Sequence, residues 1–270
     1  MSIPKIIHYC WYGNGEKPDC FEKCYASWKK YAPDYEMIEW NESNTDMEAY
    51  AFMKQAYEAK KYAFVSDIAR LKAVHDRGGV YLDTDVELHG PLDDLLNYRA
   101  FFFFDIHGDV ATGLGFGAEK GNPEVFKILD DYNKLTFSKE SAETLACPTV
   151  NTVSIASIFP SFTRCDRTAY IDNCAFLSSR DYKKYAFHYA KNSWGSEAVL
   201  KAEKYKKYNR NKKRIPWIRS FLRNPNIFEF FLAHNMKRIY RIYGVLVFDV
   251  LDNGLLYYGY RFYQKITGHK

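Results

Sequence analysis

The stretch SDIARLKAVHDRGGVYLDTDVE, residues 66–87, contains the change of pattern that decides the fold. Its first half spaces Ile68, Leu71 and Val74 three residues apart, which puts apolar side chains on one face of a helix. Two glycines then end the predicted helix, and the short apolar run that follows predicts a strand. We therefore expect a helix over residues 63–76 and, after it, a buried strand that ends in two aspartates.

The segments on either side alternate between strand and helix patterns in the same way. The predicted elements are IPKIIHYCWYG (3–13, strand), CFEKCYASWKKYAP (20–33, helix), YEMIEW (35–40, strand), residues 47–60 (helix) and RAFFFFDI (99–106, strand). This alternation predicts an α/β sheet with both faces covered. Ligands of such sheets bind at the carboxyl ends of the strands, where Asp83 and Asp85 would lie.

Charge is spread unevenly along the chain. The net charge is +5, yet residues 201–241 alone contain thirteen Lys and Arg and two Glu. We therefore predict one domain over residues 1–200 and a basic, aromatic, mainly helical extension over residues 201–270, packed on that domain. The basic segment could be a solvated helical face or could bind an anionic membrane surface, whereas a nucleic-acid partner is disfavoured.

The N-terminal sequence and the cysteines are the basis for predicting the cellular compartment. No charged start followed by a long apolar run is present, so we expect no signal peptide. The six cysteines lack paired CxxC spacing and are expected to be free thiols. No apolar run is long enough to span a bilayer. We expect a cytoplasmic protein that could lie on the inner face of the cell membrane.

The triplet Asp83-Thr84-Asp85 has two interpretations. It could simply close the strand as a polar turn, and in isolation this interpretation is favoured. Alternatively, a turn after the first aspartate would let both carboxylates converge as oxygen ligands for Mg²⁺ or Mn²⁺. Two or three protein ligands hold such an ion weakly, and a nucleotide diphosphate would complete its coordination.

Asp67 and Arg70 lie three residues apart, hence on one helix face, after a possible N-cap at Ser66. They could form a surface ion pair. They could equally present a carboxylate for sugar hydroxyls and a fixed cation close to the aspartates of the strand end.

The pattern A-x-x-S-D-x-x-R followed by G-G-x-Y-x-D-x-D resembles the DXD-containing sugar transferases of glycosyltransferase family 32, and it is similar to that of the large clostridial glucosylating toxins. The resemblance covers about residues 3–195. It implies a GT-A-like, nucleotide-sugar-binding mixed sheet flanked by helices. It also implies a retaining, metal-dependent transferase that moves a hexose from a nucleotide-diphosphate sugar, with UDP-hexose favoured, to a glycan. A lipid-linked capsular or surface polysaccharide intermediate would be the acceptor.

The resemblance also implies roles for individual residues. Asp67 and Arg70 correspond to the pair that contacts the donor sugar. Asp83 corresponds to an aspartate shared by ribose and metal, and Asp85 to the direct metal ligand. The implied catalytic residues are thus Asp67, Arg70 and Asp85. Trp11 takes the position of a tryptophan that stacks on the nucleotide base, although a core indole at a strand end is the alternative.

The segment AFHYAKNSWGS, residues 186–196, resembles the family's loop that closes over the diphosphate. His188 or Asn192 would complete the metal coordination there. Ser193 and the indole N–H of Trp194 would donate to phosphate.

The stretch DIHGDVATGLGFGAEKGNPEVF, residues 105–126, resembles the family's strand and loop where the acceptor and the donor sugar meet. Asp105 and Asp109 are candidate acceptors for sugar hydroxyls, or have structural roles. Cys147 stands where some relatives have glycine, which puts sugar contacts of Thr149 and Asn151 in doubt.

Two other functions remain open. A haloacid-dehalogenase-type phosphohydrolase also uses Asp-x-Asp with Mg²⁺ at a strand end, although its pattern expects Thr or Val at the position of Glu87. A noncatalytic sugar- or membrane-binding module would use the chain's aromatic content of 18%. The absence of GxGxxG and GxxxxGK[ST] loops disfavours dinucleotide and P-loop chemistry.

Overall fold

The computed structural model describes residues 2–138 and 146–189. Its elements in chain order are β1 Ile6–Cys10, α1 Phe21–Tyr31, β2 Glu36–Trp40, α2 Ala51–Glu58, α3 Tyr62–Arg77, β3 Gly79–Tyr81, β4 Val86–Leu88, a 3₁₀ helix Asp93–Asn97, β5 Ala100–Phe103, β6 Phe116–Ala118, α4 Pro123–Tyr132, α5 Cys147–Ile158, β7 Ala169–Ile171, β8 Cys174–Leu177, α6 Ser179–Tyr185 and β9 Ala186–His188. None of the helices in these ranges combines the length and hydropathy needed to cross a membrane. The predicted extension over residues 201–270 and its boundary near residue 200 lie outside the described residues.

Seven strands form the central sheet in the order β2-β1-β3-β6-β5-β8-β7. β1 is parallel to both β2 and β3, and β5 is parallel to β8, whereas the remaining pairs are antiparallel. A separate two-stranded antiparallel ribbon pairs β4 with β9. The predicted mixed α/β sheet flanked by helices is confirmed.

The run of four phenylalanines explains why both faces of the sheet are covered. Successive side chains of a strand point to opposite faces. Phe102 and Phe104 accordingly pack in the core cluster that includes residues of α2, α3, α4 and α5. Phe101 and Phe103 pack in the second cluster, with residues of α1, the 3₁₀ helix and α6. All four rings are buried, so this part of the strand has no solvent-facing side.

The helix and strand predicted over residues 66–87 are both present, with one correction. α3 buries Ile68, Leu71 and Val74. Ser66 does not cap it: its hydroxyl donates to the Tyr62 carbonyl at 3.1 Å from inside the helix. The N-cap prediction is wrong because the residues before Ser66 are apolar and pack in the core, so the helix begins four residues earlier.

The glycines after α3 are required by the fold. Gly78 has φ of +69°, and a Cβ there would lie 2.7 Å from Pro4 Cδ and 2.9 Å from the backbone nitrogen of Lys120. The chain therefore turns directly from α3 into β3. Because β3 is parallel to β1, the segments after both strands leave the sheet at the same edge. All six cysteines are free thiols, as expected.

Candidate active site

The DTD triplet forms a turn between β3 and β4. The Val86 N–H donates to the Asp83 carbonyl at 3.0 Å, which closes the turn and places Asp83 and Asp85 side by side. β4 then pairs with β9 so that Val86 lies opposite His188. The ribbon thereby brings a histidine from the end of the described chain to the two aspartates.

These three side chains form a potential metal site. His188 Nε2 lies 2.9 Å from Asp85 Oδ1 and 3.9 Å from Asp83 Oδ2. One ligand atom from each residue lies within 4.8 Å of the others. Ligands of a Mg²⁺-sized ion lie about 3 to 4.2 Å apart, so small side-chain rotations would suffice to bind one ion. Two carboxylate oxygens and an imidazole nitrogen suit Mn²⁺ and accommodate Mg²⁺ less well.

The electrostatics of this trio favour a cation. Burial lowers the pKa of His188, but the hydrogen bond to Asp85 and the charges of Asp85 and Asp83 outweigh burial, so the pKa is raised. The two carboxylates therefore stabilise positive charge at this position, which a proton on the imidazole or a bound divalent ion would supply.

Asp67 and Arg70 form a buried ion pair beside the trio. Arg70 Nη2 lies 2.9 Å from Asp67 Oδ1 and 3.5 Å from Asp83 Oδ1, and Nε donates to the Ser66 carbonyl at 3.0 Å. Burial raises the pKa of the Asp67 carboxyl to about 6, although the charge of Arg70 opposes part of the rise. Both residues are buried, so the surface ion-pair interpretation is wrong. Arg70 thus connects Asp67 to the first aspartate of the triplet.

Tyr81 contacts both Arg70 and Asp83. Its ring is buried and lies under the guanidinium of Arg70, with 4.8 Å between Cζ and the ring centre. Its hydroxyl donates to Asp83 Oδ1 at 2.7 Å. One oxygen of Asp83 is therefore held by Tyr81 and Arg70, while the other faces His188.

Gly113 is a site residue that sequence reasoning missed. A Cβ there would lie 2.7 Å from Asp83 Oδ2 and 3.0 Å from Arg70 Nη1. The backbone of the loop between β5 and β6 therefore approaches the site closely. The glycine-rich run GLGFG, residues 113–117, is the signal in the sequence that could have indicated this approach.

Trp11 follows β1 and is half-buried, with its indole N–H donating to the Gly15 carbonyl at 2.7 Å. It lines a cleft of about 300 Å³ together with Glu39, Asn41 and Glu42. The predicted base-stacking tryptophan thus lies at the edge of the sheet from which the DTD turn also leaves. The remaining predicted phosphate and metal contacts, Asn192, Ser193 and Trp194, lie outside the described residues.

The acidic candidates of the β5–β6 loop have structural partners. Asp105 accepts hydrogen bonds from the N–H groups of His107 and Asp109 at 2.8 and 3.0 Å, which closes a turn. Asp109 forms an ion pair with Arg164. Asn151 is buried and donates to Thr112 Oγ1 at 3.0 Å, which helps hold the loop on α5.

Part of the chain is similar to known glycosyltransferases. Residues 18–102 match the family described as glycosyltransferase sugar-binding region containing DXD motif. The match supports a glycosyltransferase family for this chain. It includes Asp67, Arg70, Asp83 and Asp85.

Two curated relatives and two solved structures are similar to parts of the chain. Inositol phosphoceramide mannosyltransferase 3 of Schizosaccharomyces pombe is 30% identical over 141 residues, 51% of this chain and 39% of that protein. Mannosyl phosphorylinositol ceramide synthase SUR1 of Saccharomyces cerevisiae is 35% identical over 107 residues, 37% and 27% of the two chains. The chain therefore spans well under half the length of these relatives.

Among solved structures, PaToxG glycosyltransferase aligns with a TM-score of 0.47 at 18% identity, covering 59% of this chain and 71% of that one. The galactosyltransferase LgtC in complex with donor and acceptor sugar analogs aligns with a TM-score of 0.42 at 12% identity, covering 78% and 97%.

Proposed function

We propose that this chain is a retaining, metal-dependent glycosyltransferase that moves a hexose from a nucleotide-diphosphate sugar to a glycan acceptor. The observation that carries the proposal is the convergence of Asp83, Asp85 and His188 next to the buried pair Asp67 and Arg70. Four of these five residues lie in the region that matches the glycosyltransferase family.

Asp85, Asp83 and His188 would hold a divalent ion, Mn²⁺ or Mg²⁺, with Asn192 as a further candidate ligand. When bound, the ion supplies electrostatic stabilisation of the leaving diphosphate. The chain itself contributes the guanidinium of Arg70, which is kept charged and oriented by Asp67 and Asp83.

The donor would lie along the carboxyl edge of the sheet. Trp11 would stack on the base, and Asp83 would accept a ribose hydroxyl. Asp67 and Arg70 would bind the sugar, and Ser193 with Trp194 the diphosphate. A UDP-hexose is the favoured donor from the toxin resemblance. Because both curated relatives have mannosyl transfer in their names, mannose is a second candidate sugar.

The transfer breaks the bond between C1 of the sugar and the diphosphate oxygen and forms a bond from C1 to an acceptor hydroxyl oxygen. The hydroxyl proton leaves with the phosphate or passes to a carboxylate. Retention of configuration requires front-face attack or two successive displacements through a carboxylate nucleophile.

The acceptor is proposed to be a lipid-linked capsular or surface polysaccharide intermediate, used by a cytoplasmic enzyme on the inner face of the membrane. The basic segment 201–241 would dock on anionic lipid. Co-sedimentation with vesicles tests this docking: equal pelleting with neutral and anionic vesicles would exclude an electrostatic contribution.

The proposal is tested by a donor screen. UDP, GDP and dTDP are added with and without Mn²⁺ while the melting temperature is measured, and hydrolysis of the matching sugar nucleotides is followed. We expect one nucleotide to raise the melting temperature in a Mn²⁺-dependent way and its sugar derivative to be hydrolysed slowly. If no nucleotide stabilises the protein in either condition, the chain is not such a transferase.

The same screen distinguishes the alternatives. Release of phosphate from simple phosphate esters with Mg²⁺, without nucleotide stabilisation, would indicate a haloacid-dehalogenase-type phosphohydrolase. Sugar binding without any turnover would indicate a noncatalytic module.

A further inference from the structure

The backbone of β4 is paired with another strand along one edge only. Among the described strands, β4 pairs with β9 alone, and the Tyr189 N–H donates to the Asp85 carbonyl at 3.0 Å on that side. In an antiparallel pair, the backbone groups of alternate residues point to opposite edges. The carbonyl of Val86 and the N–H of Leu88 therefore point away from β9. Because both residues are buried, these groups need partners from another part of the fold.

Two neighbouring side chains of α1 bind this second edge of β4. The indole N–H of Trp28 donates to the Val86 carbonyl at 2.8 Å, and the Leu88 N–H donates to the Ser27 hydroxyl, also at 2.8 Å. Ser27 donates in turn to the Cys24 carbonyl of the same helix, which fixes its hydroxyl. Hydrogen bonds between buried groups are stronger than exposed ones. The helix α1 therefore takes the place that a third strand would have in the ribbon.

Packing fixes the ring of Trp28. The side chain is fully buried, and its ring lies against those of Tyr9, Phe21 and Tyr25, with centroids 5.4, 6.3 and 5.7 Å away. Tyr9 belongs to β1 of the central sheet. Since closely packed side chains have little freedom to move, the indole N–H is a donor at a fixed position relative to the sheet.

The first aspartate of the DTD turn is anchored to the central sheet. Asp83 accepts a hydrogen bond from the Tyr81 hydroxyl at 2.7 Å and lies 3.5 Å from Arg70 Nη2. The Leu82 N–H donates to the His8 carbonyl at 3.0 Å, which continues the contact of β3 with β1 up to the turn. The position of Asp83 therefore depends on β1, β3 and α3.

The second aspartate is anchored to the ribbon instead. The Asp85 carbonyl accepts from the Tyr189 N–H of the segment after β9. Val86, the next residue, is the one whose carbonyl Trp28 binds. Because Val86 lies opposite His188 in the ribbon, the same contact acts on both of these metal-ligand candidates. Their distance from the first aspartate is therefore set by how α1 holds the ribbon.

We propose that Trp28 is a positioning residue of the metal site: with the Ser27 hydroxyl, its indole N–H holds the ribbon so that Asp85 and His188 converge with Asp83 on one ion. Both α1 side chains act through the backbone of β4 and not through contact with the ion or the substrate. The inference rests on the proposed metal-dependent function and adds to it a helix that precedes the DTD motif by some fifty residues.

Binding of Mn²⁺ to the full chain without nucleotide, followed by the electron paramagnetic resonance signal of free Mn²⁺, tests the proposal. Trp28→Phe keeps an aromatic ring in the cluster but removes the donor to Val86. We expect the dissociation constant for Mn²⁺ to rise about 10-fold, the lower end of the effect of losing groups that orient metal ligands. Ser27→Ala should raise it less, about 3-fold, because Leu88 lies further along the strand from Asp85.

Two control variants remove comparable hydrogen bonds outside α1 and the ribbon. Trp40→Phe removes the indole donor to His8 Nδ1 at 3.1 Å, and Ser154→Ala removes the hydroxyl donor to Asp131 at 2.8 Å. Both should lower the melting temperature about as much as the α1 variants do and leave the dissociation constant for Mn²⁺ unchanged. A purely structural role of Trp28 would make Trp28→Phe behave like these controls.

A second measurement needs no metal. In Trp28→Phe, amide hydrogen exchange should be faster at Val86 and Tyr189, because the turn and the ribbon lose an anchor. Exchange at Leu82, whose N–H binds the β1 strand, should keep its wild-type rate. An equal acceleration at all three amides would show a loss of global stability and would overturn the positioning role.

The outcomes separate this proposal from the proposed function. Wild-type affinity for Mn²⁺ in Trp28→Phe overturns the proposal, and so does an equal loss of affinity in Trp28→Phe and Trp40→Phe; in both cases the metal site stands. If Trp28→Phe does not fold, Ser27→Ala against Ser154→Ala decides by the same criteria. If the wild-type protein binds no Mn²⁺ with or without nucleotide, the metal-dependent function fails and the positioning role fails with it.

Discussion

Two charged clusters meet at Asp83, and they differ in what they need to be stable. Asp67 and Arg70, the α3 pair, have side chains that are 9% and 5% exposed and carry opposite charges. Asp83, Asp85 and His188, the acidic trio, have side chains that are 26%, 11% and 22% exposed and carry two carboxylates for one imidazole. The two charges of the α3 pair cancel within the folded core. The acidic trio has more carboxylates than cationic groups, so a cation bound from solution would stabilise it.

The largest expected effect is on activity, through Asp85. Asp85→Asn keeps the shape of the side chain but removes a negative charge from the proposed metal site. Because a metal ion supplies several kcal/mol of transition-state stabilisation, we expect transfer to fall at least about 1,000-fold. The measurement is turnover of the donor found in the screen, with Mn²⁺ titrated in parallel.

The same variant should change thermal stability far less than activity. Removing one of two neighbouring carboxylates relieves repulsion but also weakens the ion pair with His188, so the metal-free Asp85→Asn protein should unfold close to the wild-type temperature. Asp76→Asn, an exposed aspartate on α3, is the matched control and should retain activity. Full transfer activity in Asp85→Asn would refute the metal role.

The α3 pair is expected to behave in the opposite way. Arg70→Met leaves the buried Asp67 carboxylate without its partner, so the free energy of unfolding should fall by about 3–5 kcal/mol. Chemical denaturation measures this fall in the absence of metal and nucleotide. Lys72→Met removes a cation of an exposed ion pair on the same helix and should cost less than about 1 kcal/mol.

A double variant tests whether the unpaired charge of Asp67 causes the loss of stability. In Asp67→Asn with Arg70→Met the buried charge is absent as well, so a substantial part of the lost stability should return. If the double variant is as unstable as the sum of the single ones, packing and not charge accounts for the effect.

Sequence patterns predicted the α3 pair and the DTD turn because each is formed by residues close together in the chain. The apolar spacing of α3 and the two glycines after it determine where Asp67, Arg70 and the DTD turn lie. The fold class followed from the same alternation. The N-cap prediction at Ser66 failed because core packing extends the helix beyond its polar signal.

Contacts made by tertiary structure were harder to predict. His188 was named only through the family resemblance, and the pairing of β4 with β9 is what brings it to Asp85. Gly113 lies in a glycine-rich run, but this run does not show which residues the backbone approaches. Its position beside Asp83 and Arg70 depends on how the β5–β6 loop packs, which short-range patterns do not encode.

The smallest expected effect is a pH dependence of stability that separates the buried pair from the open trio. The pKa of Asp67 is raised from 3.8 to about 6, chiefly by burial. A carboxyl with a raised pKa stabilises the folded state below its unfolded pKa, and this contribution is lost as the pH rises through the folded pKa. We therefore expect the free energy of unfolding to decline between about pH 4 and pH 6, by at most about 1.4 kcal/mol per pH unit.

Asp67→Asn should remove this part of the slope, while the contribution of His188 at higher pH remains. Denaturation curves recorded with a chelator over this range make the comparison, and identical slopes in the two proteins would show that Asp67 does not titrate there.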